Sequence, residues 1–375
     1  MTESRHRAAW MAEGRFGIMV HYLIDPAGAT PAARTAKFNR LVSSFDLDAF
    51  VSQFASTSAD WLIFTIGQNT GFYCSPNPYL DRLLPGHTSD RDLMLEIATR
   101  LKALGKRVVA YLPAEVSHQG EEVQDAFAWS PADQGEFQRR YCEFVRRYAL
   151  KLGPMIDGWW FDGCFEWPQF HNSLYEWPEW IAAARAGNPD AAVAFNDGSF
   201  CINKVKPVTL LEDYHAGEVH MLVDGKIKLG HEDNSPLYLP EGQFIEGVQW
   251  HALVPVDSTF EGGEPHRYSD QVLLQFMQNC RSVKGAVTLN LPIGDDGCLP
   301  GDSLAQMQRL GRALGTPWAV RGKAHVEADV ADDIRGCALN PESRSTWDGR
   351  KTKASMSPLS VGLPGRLKCS VTPCR

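Results

Sequence analysis

No stretch of this 375-residue chain stays apolar for anything near the ~20 residues that a membrane-spanning helix needs. No two cysteines have the Cys-x-x-Cys spacing of a zinc or redox site. There is no His-x-His strand end and no His-Glu-x-x-His helix, so the sequence implies no bound metal and no cofactor. Lys and Arg form no run before the far C-terminus and the net charge is −8, which argues against a nucleic-acid or anionic-membrane partner. The first residues carry Arg5, His6 and Arg7, but no apolar segment follows as it would in a secretion signal, and the expected location is the cytoplasm. No internal repeat is present.

What remains is a chain with 44% hydrophobic and 22% charged residues, long enough for one large core. Five of its nine cysteines, Cys74, Cys142, Cys164, Cys201 and Cys280, sit inside apolar runs and read as small buried hydrophobes, not a disulfide framework. The most informative stretch is 153–163, Gly-Pro-Met-Ile-Asp-Gly-Trp-Trp-Phe-Asp-Gly. Its apolar, aromatic course predicts a strand covered on both faces that ends by presenting Asp162, after which Gly163 lets the backbone turn.

Eight such segments recur, over residues 16–23, 61–67, 107–114, 158–162, 191–197, 209–214, 246–254 and 286–294. Helical patterns over 46–55, 89–105, 133–152, 174–186, 269–283 and 302–314 separate most of them. Ser89 is expected to cap the second of these helices, with Asp92 three residues on. Strand followed by helix about eight times predicts a (β/α)8 TIM-like barrel over residues 1–318. Residues 214–245, rich in Gly, Pro, Asp and His, read as a long active-site loop. Residues 319–375 read as a short, poorly structured C-terminal extension.

Groups at the carboxyl ends of barrel strands converge on one mouth. Here they are His21 and Tyr22, Gln68 and Asn69, Glu115 and His118, Asp162, Asn196 and Asp197, Asp213 and His215, Glu246 through His251, and Asn290. Trp160, Trp167 and Trp250 lie among them. Many hydroxyl-seeking groups with aromatic platforms is the profile of a carbohydrate site.

Residues 15–21, Arg-Phe-Gly-Ile-Met-Val-His, resemble the strand that opens the catalytic domain of the α-L-fucosidases of glycoside hydrolase family 29. Residues 89–93 resemble their Arg-Asp-Leu helix start, 111–115 their Tyr-Tyr-Ser-x-x-Glu strand, 160–163 their nucleophile strand, and 288–297 their Leu-Leu-Asn-Ile-x-Pro segment. The resemblance implies a retaining glycosidase with a carbohydrate substrate. Asp162 would be the nucleophile and Glu246, at the start of the penultimate strand, the acid/base, with Glu241, Glu218 and Glu115 as alternatives. His21, Tyr22, Gln68, Asn69, Trp160, Asn196, Trp250 and His251 would bind the sugar. The family's His-His-Asp-Gly-Phe is replaced by Gln68–Asn69–Thr70–Gly71–Phe72, which predicts a different sugar or a larger glycoside. Two other readings are a catalytically inactive carbohydrate-binding barrel, and a metal-dependent sugar enzyme using Asp162, Asp197, Asp213, His21 and His251.

Overall fold

The structure is a computed structural model, which describes residues 6–164, 175–198, 205–230, 232–256 and 268–315. The sequence expectations for residues 319–375, for Trp167 and for Cys201 lie outside the described residues. Twelve strands are described, β1 (Gly17–Val20), β2 (Trp61–Thr65), β3 (Arg107–Pro113), β4 (Gly158–Asp162), β5 (Ala192–Phe195), β6 (Leu222–Val223), β7 (Lys226–Lys228), β8 (Leu237–Tyr238), β9 (Phe244–Ile245), β10 (Val248–Gln249), β11 (His251–Pro255) and β12 (Ala286–Leu291).

Seven of these form one curled parallel sheet in the order β11-β12-β1-β2-β3-β4-β5. Helices connect them, as parallel strands require. The gap between β5 and β11 is spanned by 213–219, which is too irregular to be a strand but carries the ladder across. Asp213 N donates to Val193 O on one side, while His215 N and Val219 N donate to Gln249 O and Leu253 O on the other. Gly217 makes this possible: its φ is 67°, and a Cβ there would lie 2.1 Å from the His251 carbonyl oxygen. The arrangement is consistent with a (β/α)8 barrel whose sixth stave is this segment.

The sequence reading placed the sixth strand at 209–214 and the following residues in a loop. The first part of that loop is instead the stave itself, and the rest folds into the small antiparallel sheet β6-β7-β8 and the hairpin β9-β10.

Alternation along each strand divides the core in two. On β4, Trp159 and Phe161 point out to the helices, whereas Trp160 points into the barrel beside Met19, Ile63, Tyr111 and Leu253. The helix Gly135–Leu152 buries Phe137, Tyr141, Phe144, Val145, Tyr148 and Leu152, spaced three or four apart, against the outer face. Each such side chain is worth about 1.5–3 kcal/mol of burial. Its solvent face carries the pairs Glu136–Arg140 and Glu143–Arg147.

The helix Leu93–Ala103 starts three to four residues after the expected cap: Asp92, not Ser89, accepts from Leu95 N, and Ser89 Oγ donates to the Arg91 carbonyl. A helix not anticipated from the sequence, Pro31–Ser44, follows β1, capped by Thr30 and opened by a proline. Cys74, Cys142, Cys164 and Cys280 are buried free thiols. Among the described residues no helix is long and apolar enough to cross a membrane.

Candidate active site

The barrel interior is filled in layers. At the amino end, the Trp61 indole N–H donates to Thr288 Oγ1 and the Thr288 hydroxyl to His251 Nε2, while His251 Nδ1–H donates to the His215 carbonyl. That chain assigns the His251 tautomer. Burial lowers the imidazole to about 4, so it is neutral. Above this lies a layer of Tyr111 and Trp160, packed edge to face at 4.9 Å. The carboxyl end opens into a cavity of about 170 Å³ lined by His21, Leu23, Gln68, Asn69, Trp160, Asp162, Glu218 and Leu253.

Asp162 ends β4 with its side chain turned inward, and three neutral donors hold it. The Tyr111 hydroxyl and Gln68 Nε2 donate to Oδ2 at 2.6 and 2.7 Å, and Asn196 Nδ2 donates to Oδ1 at 2.8 Å. The same Asn196 nitrogen donates to Glu218 Oε2 at 2.5 Å. The nearer oxygens of the two acids therefore lie no further apart than those two bonds laid end to end. Gly163 turns the chain away at φ 74°, and a Cβ there would stand 2.8 Å from Glu115 Cγ.

Burial, and then the charge of Asp162 and the bond to it, push the Tyr111 phenol well above its ordinary range, so it stays a proton donor. Burial raises Glu115 as well, against the bonds it accepts from Ser117 N and Oγ. His21 bonds Asn290 through Nδ1 at 2.8 Å and stands edge-on to Tyr111.

Of the residues singled out in the sequence, Asp162, His21, Gln68, Asn69 and Trp160 share this cavity, and Asn196 lies against its acids. Four others do not reach it. Glu246 is exposed in the tight turn of β9-β10, with φ 51° before Gly247 at 85°; this hairpin precedes β11 and so sits at the amino end of the barrel, opposite the cavity. Trp250 is buried in the outer core, its backbone N–H bonded to Gln243. His251 is locked in the amino-end layer described above. Tyr22 follows the outward alternation of β1, packs on Phe45 and Phe64, and donates to the Asp295 carbonyl.

The glutamate beside Asp162 is Glu218, one of the alternatives. Tyr111 went unassigned in the sequence, although it is the inward residue paired in register with Trp160. Of the residues of the metal-dependent reading, Asp162 and His21 share the cavity but Asp213 and His251 do not: Asp213 pairs with Arg185 and accepts from Val193 N, and His251 is engaged in the amino-end layer.

A family model described as endo-alpha(1,4)-fucoidanase Mef1 matches residues 24–214. Among solved structures, the endo-fucoidan hydrolase P5AFcnA from glycoside hydrolase family 107 is similar with a TM-score of 0.61 and 14% identity, over 86% of this chain and 96% of that one. The endo-fucoidan hydrolase MfFcnA4 of the same family matches at 0.61 and 18% identity, over 82% of this chain but 53% of its own length, so this chain spans about half of that enzyme. An α-L-fucosidase of family 29 from Bacteroides thetaiotaomicron matches at 0.56 and 14% identity, over 83% of this chain and 74% of that one. No curated protein matches the sequence. At these identities the structural likeness is one of fold, and the sequence resemblance to family 29 is met at that level. The family model covers half of the chain, and the protein belongs to the family described as endo-alpha(1,4)-fucoidanase Mef1.

Proposed function

We propose that the protein is a retaining glycoside hydrolase that cleaves α-L-fucosyl linkages in a fucoidan-type glycan, with Asp162 as nucleophile and Glu218 as acid/base. The observation that carries this reading is the pair of carboxylates bonded to one amide nitrogen at the carboxyl end of the barrel. Retaining enzymes hold their two carboxyl groups about 5–5.5 Å apart, and a shared nitrogen keeps the nearer oxygens no further apart than its two bonds together, as a reacting pair needs.

Asp162 attacks the anomeric carbon as the bond to the leaving oxygen breaks, and Glu218 gives that oxygen its proton. Glu218, now ionised, takes a proton from water; the water oxygen bonds to the anomeric carbon and the Asp162 ester bond breaks. Tyr111 and Gln68 aim the nucleophile without neutralising it. His21, Asn69 and Leu23 meet the sugar. The family's name supports a fucose-containing polymer, and the loss of the His-His-Asp motif supports a larger glycoside over a simple fucoside.

Two measurements test the reading. Proton NMR of fresh hydrolysate from fucoidan oligosaccharides should show the anomeric configuration retained. A 2-fluoro fucosyl fluoride should label the peptide containing Asp162. Inversion of configuration would overturn the mechanism, and binding of the oligosaccharides without turnover would favour the inactive carbohydrate-binding barrel.

A further inference from the structure

Asn196 is the one predicted sugar ligand whose amide is already engaged on both its donor and its acceptor side. Each Nδ2 hydrogen goes to a carboxylate, Asp162 at 2.8 Å and Glu218 at 2.5 Å, and its carbonyl oxygen accepts from Gly198 N at 3.2 Å. The reverse orientation would set that oxygen against two carboxylates, so the partners fix which way the amide points. The residue is fully buried, and its backbone is tied to β4 from both sides: Asn196 N donates to Phe161 O and Cys164 N donates to Asn196 O, each at 2.7 Å. The amide is thus anchored to the strand that carries Asp162, while it reaches the stave that carries Glu218.

We infer that Asn196 is a positioning residue, a bridge that sets the spacing of the two acids and couples them to each other. The inference rests on the reading of Asp162 and Glu218 as the reacting pair. When both acids are ionised, two unit negative charges about 5 Å apart repel by about 3 kcal/mol at an effective dielectric of about 20. A neutral amide that gives one hydrogen to each offsets that repulsion without placing a cation between them. Other groups face the pair as well, and Tyr111 feels the charge of both acids. Tyr111 and Gln68 contact Asp162, Glu115 and Cys164 feel its charge, Asp197 adjoins Asn196, and His21 packs on Tyr111.

Asn196→Ala removes both bonds, and Asn196→Asp keeps the shape while adding a third carboxyl. The direct test follows the carboxyl carbons of the two acids by ¹³C NMR across pH in the full chain, assigned with Asp162→Asn and Glu218→Gln. Losing a donor to the ionised form should move both titrations of Asn196→Ala to higher pH than the parent's, and the added carboxyl should move those of Asn196→Asp further the same way. In turnover of fucoidan oligosaccharides, both limbs of the kcat/KM profile should move to higher pH and kcat should fall tenfold or more while KM stays. Unmoved titrations in both variants would overturn the bridge even if activity fell, since a scaffold role lowers rates without moving the limbs. Moved titrations in a protein that cleaves no fucoside would leave the bridge standing and defeat the hydrolytic reading instead.

Discussion

The two ends of the barrel hold acids of the same kind in opposite ways. At the amino end Asp60 is gripped by Arg15 and Lys106, Asp157 by Lys102 and Arg107, and Asp213 by Arg185. At the carboxyl end a phenol and two amides hold Asp162, and one of those amides also reaches Glu218. A carboxylate paired with guanidinium or ammonium is held in place and its lone pairs are committed to that cation. One held by neutral donors is oriented just as firmly and keeps its charge for another partner. The Arg15 bonds, working against burial, hold Asp60 below the usual carboxylate range, which suits a structural acid. Partner type, more than burial, separates these three acids from Asp162, the proposed nucleophile.

The comparison can be broken from either side. The largest expected effect is on Asp162→Asn, which keeps the size and loses the charge: kcat on fucoidan oligosaccharides should drop by several orders of magnitude, with the melting temperature nearly unchanged. Full activity in this variant would remove the nucleophile from the mechanism. Glu218→Gln should cost about 10²–10⁴ in kcat on natural linkages. It should cost far less on aryl fucosides with good leaving groups, and an equal loss on both would mean that the proton comes from elsewhere. Tyr111→Phe deletes one charge-assisted bond to the nucleophile and should lower kcat by about ten- to a hundredfold, read as a kcat change at constant KM.

At the other end, Asp157→Asn should leave kcat alone and cost about 3 kcal/mol in denaturant unfolding, because two cations and the Val108 N–H lose their anion. A catalytic defect without a stability loss there would erase the distinction between the ends. The smallest effect is on pH. His251, lowered to about 4 by burial, stays neutral in the fold, whereas the unfolded chain takes a proton below about 6.5. Its contribution is therefore complete above about 6.5 and is lost as pH falls toward 4, by about 2 kcal/mol between pH 7 and pH 5. Urea titrations of the parent and His251→Gln at both pH values should show the steeper acid loss in the parent; parallel losses would mean that the imidazole charges inside the fold.

Much of the fold was legible because parallel strands buried on both faces announce themselves as short apolar runs. Seven barrel strands and most helices lie where those runs and their periodicity place them. The sixth stave hid because Asp213, His215, Gly217 and Glu218 interrupt any apolar pattern, and its pairing depends on a glycine approach that no local signal reveals. Glu246 misled for a related reason. Phe244, Ile245 and Val248 look like the opening of the next strand, but Glu246-Gly247, both with positive φ, make a hairpin turn whose X-Gly signature was visible and outweighed. Tyr22 and His251 were placed by proximity to strand ends, when the alternation along β1 and the start of β11 decide which way each points. The missed helix after β1 carried its signal in Thr30 and Pro31.

The two proposed reacting acids stand on β4 and the stave at 213–219, with Asn196 between them just after β5, whereas His21, Leu23 and Asn69 stand across from them on the segments after β1 and β2. The site is lopsided, with the two acids on one arc and His21, Leu23 and Asn69 on the other, and Gln68 reaches from the second arc to Asp162 on the first. Residues on the second arc can therefore change without disturbing the bonds that tie Asp162 and Glu218 to Asn196.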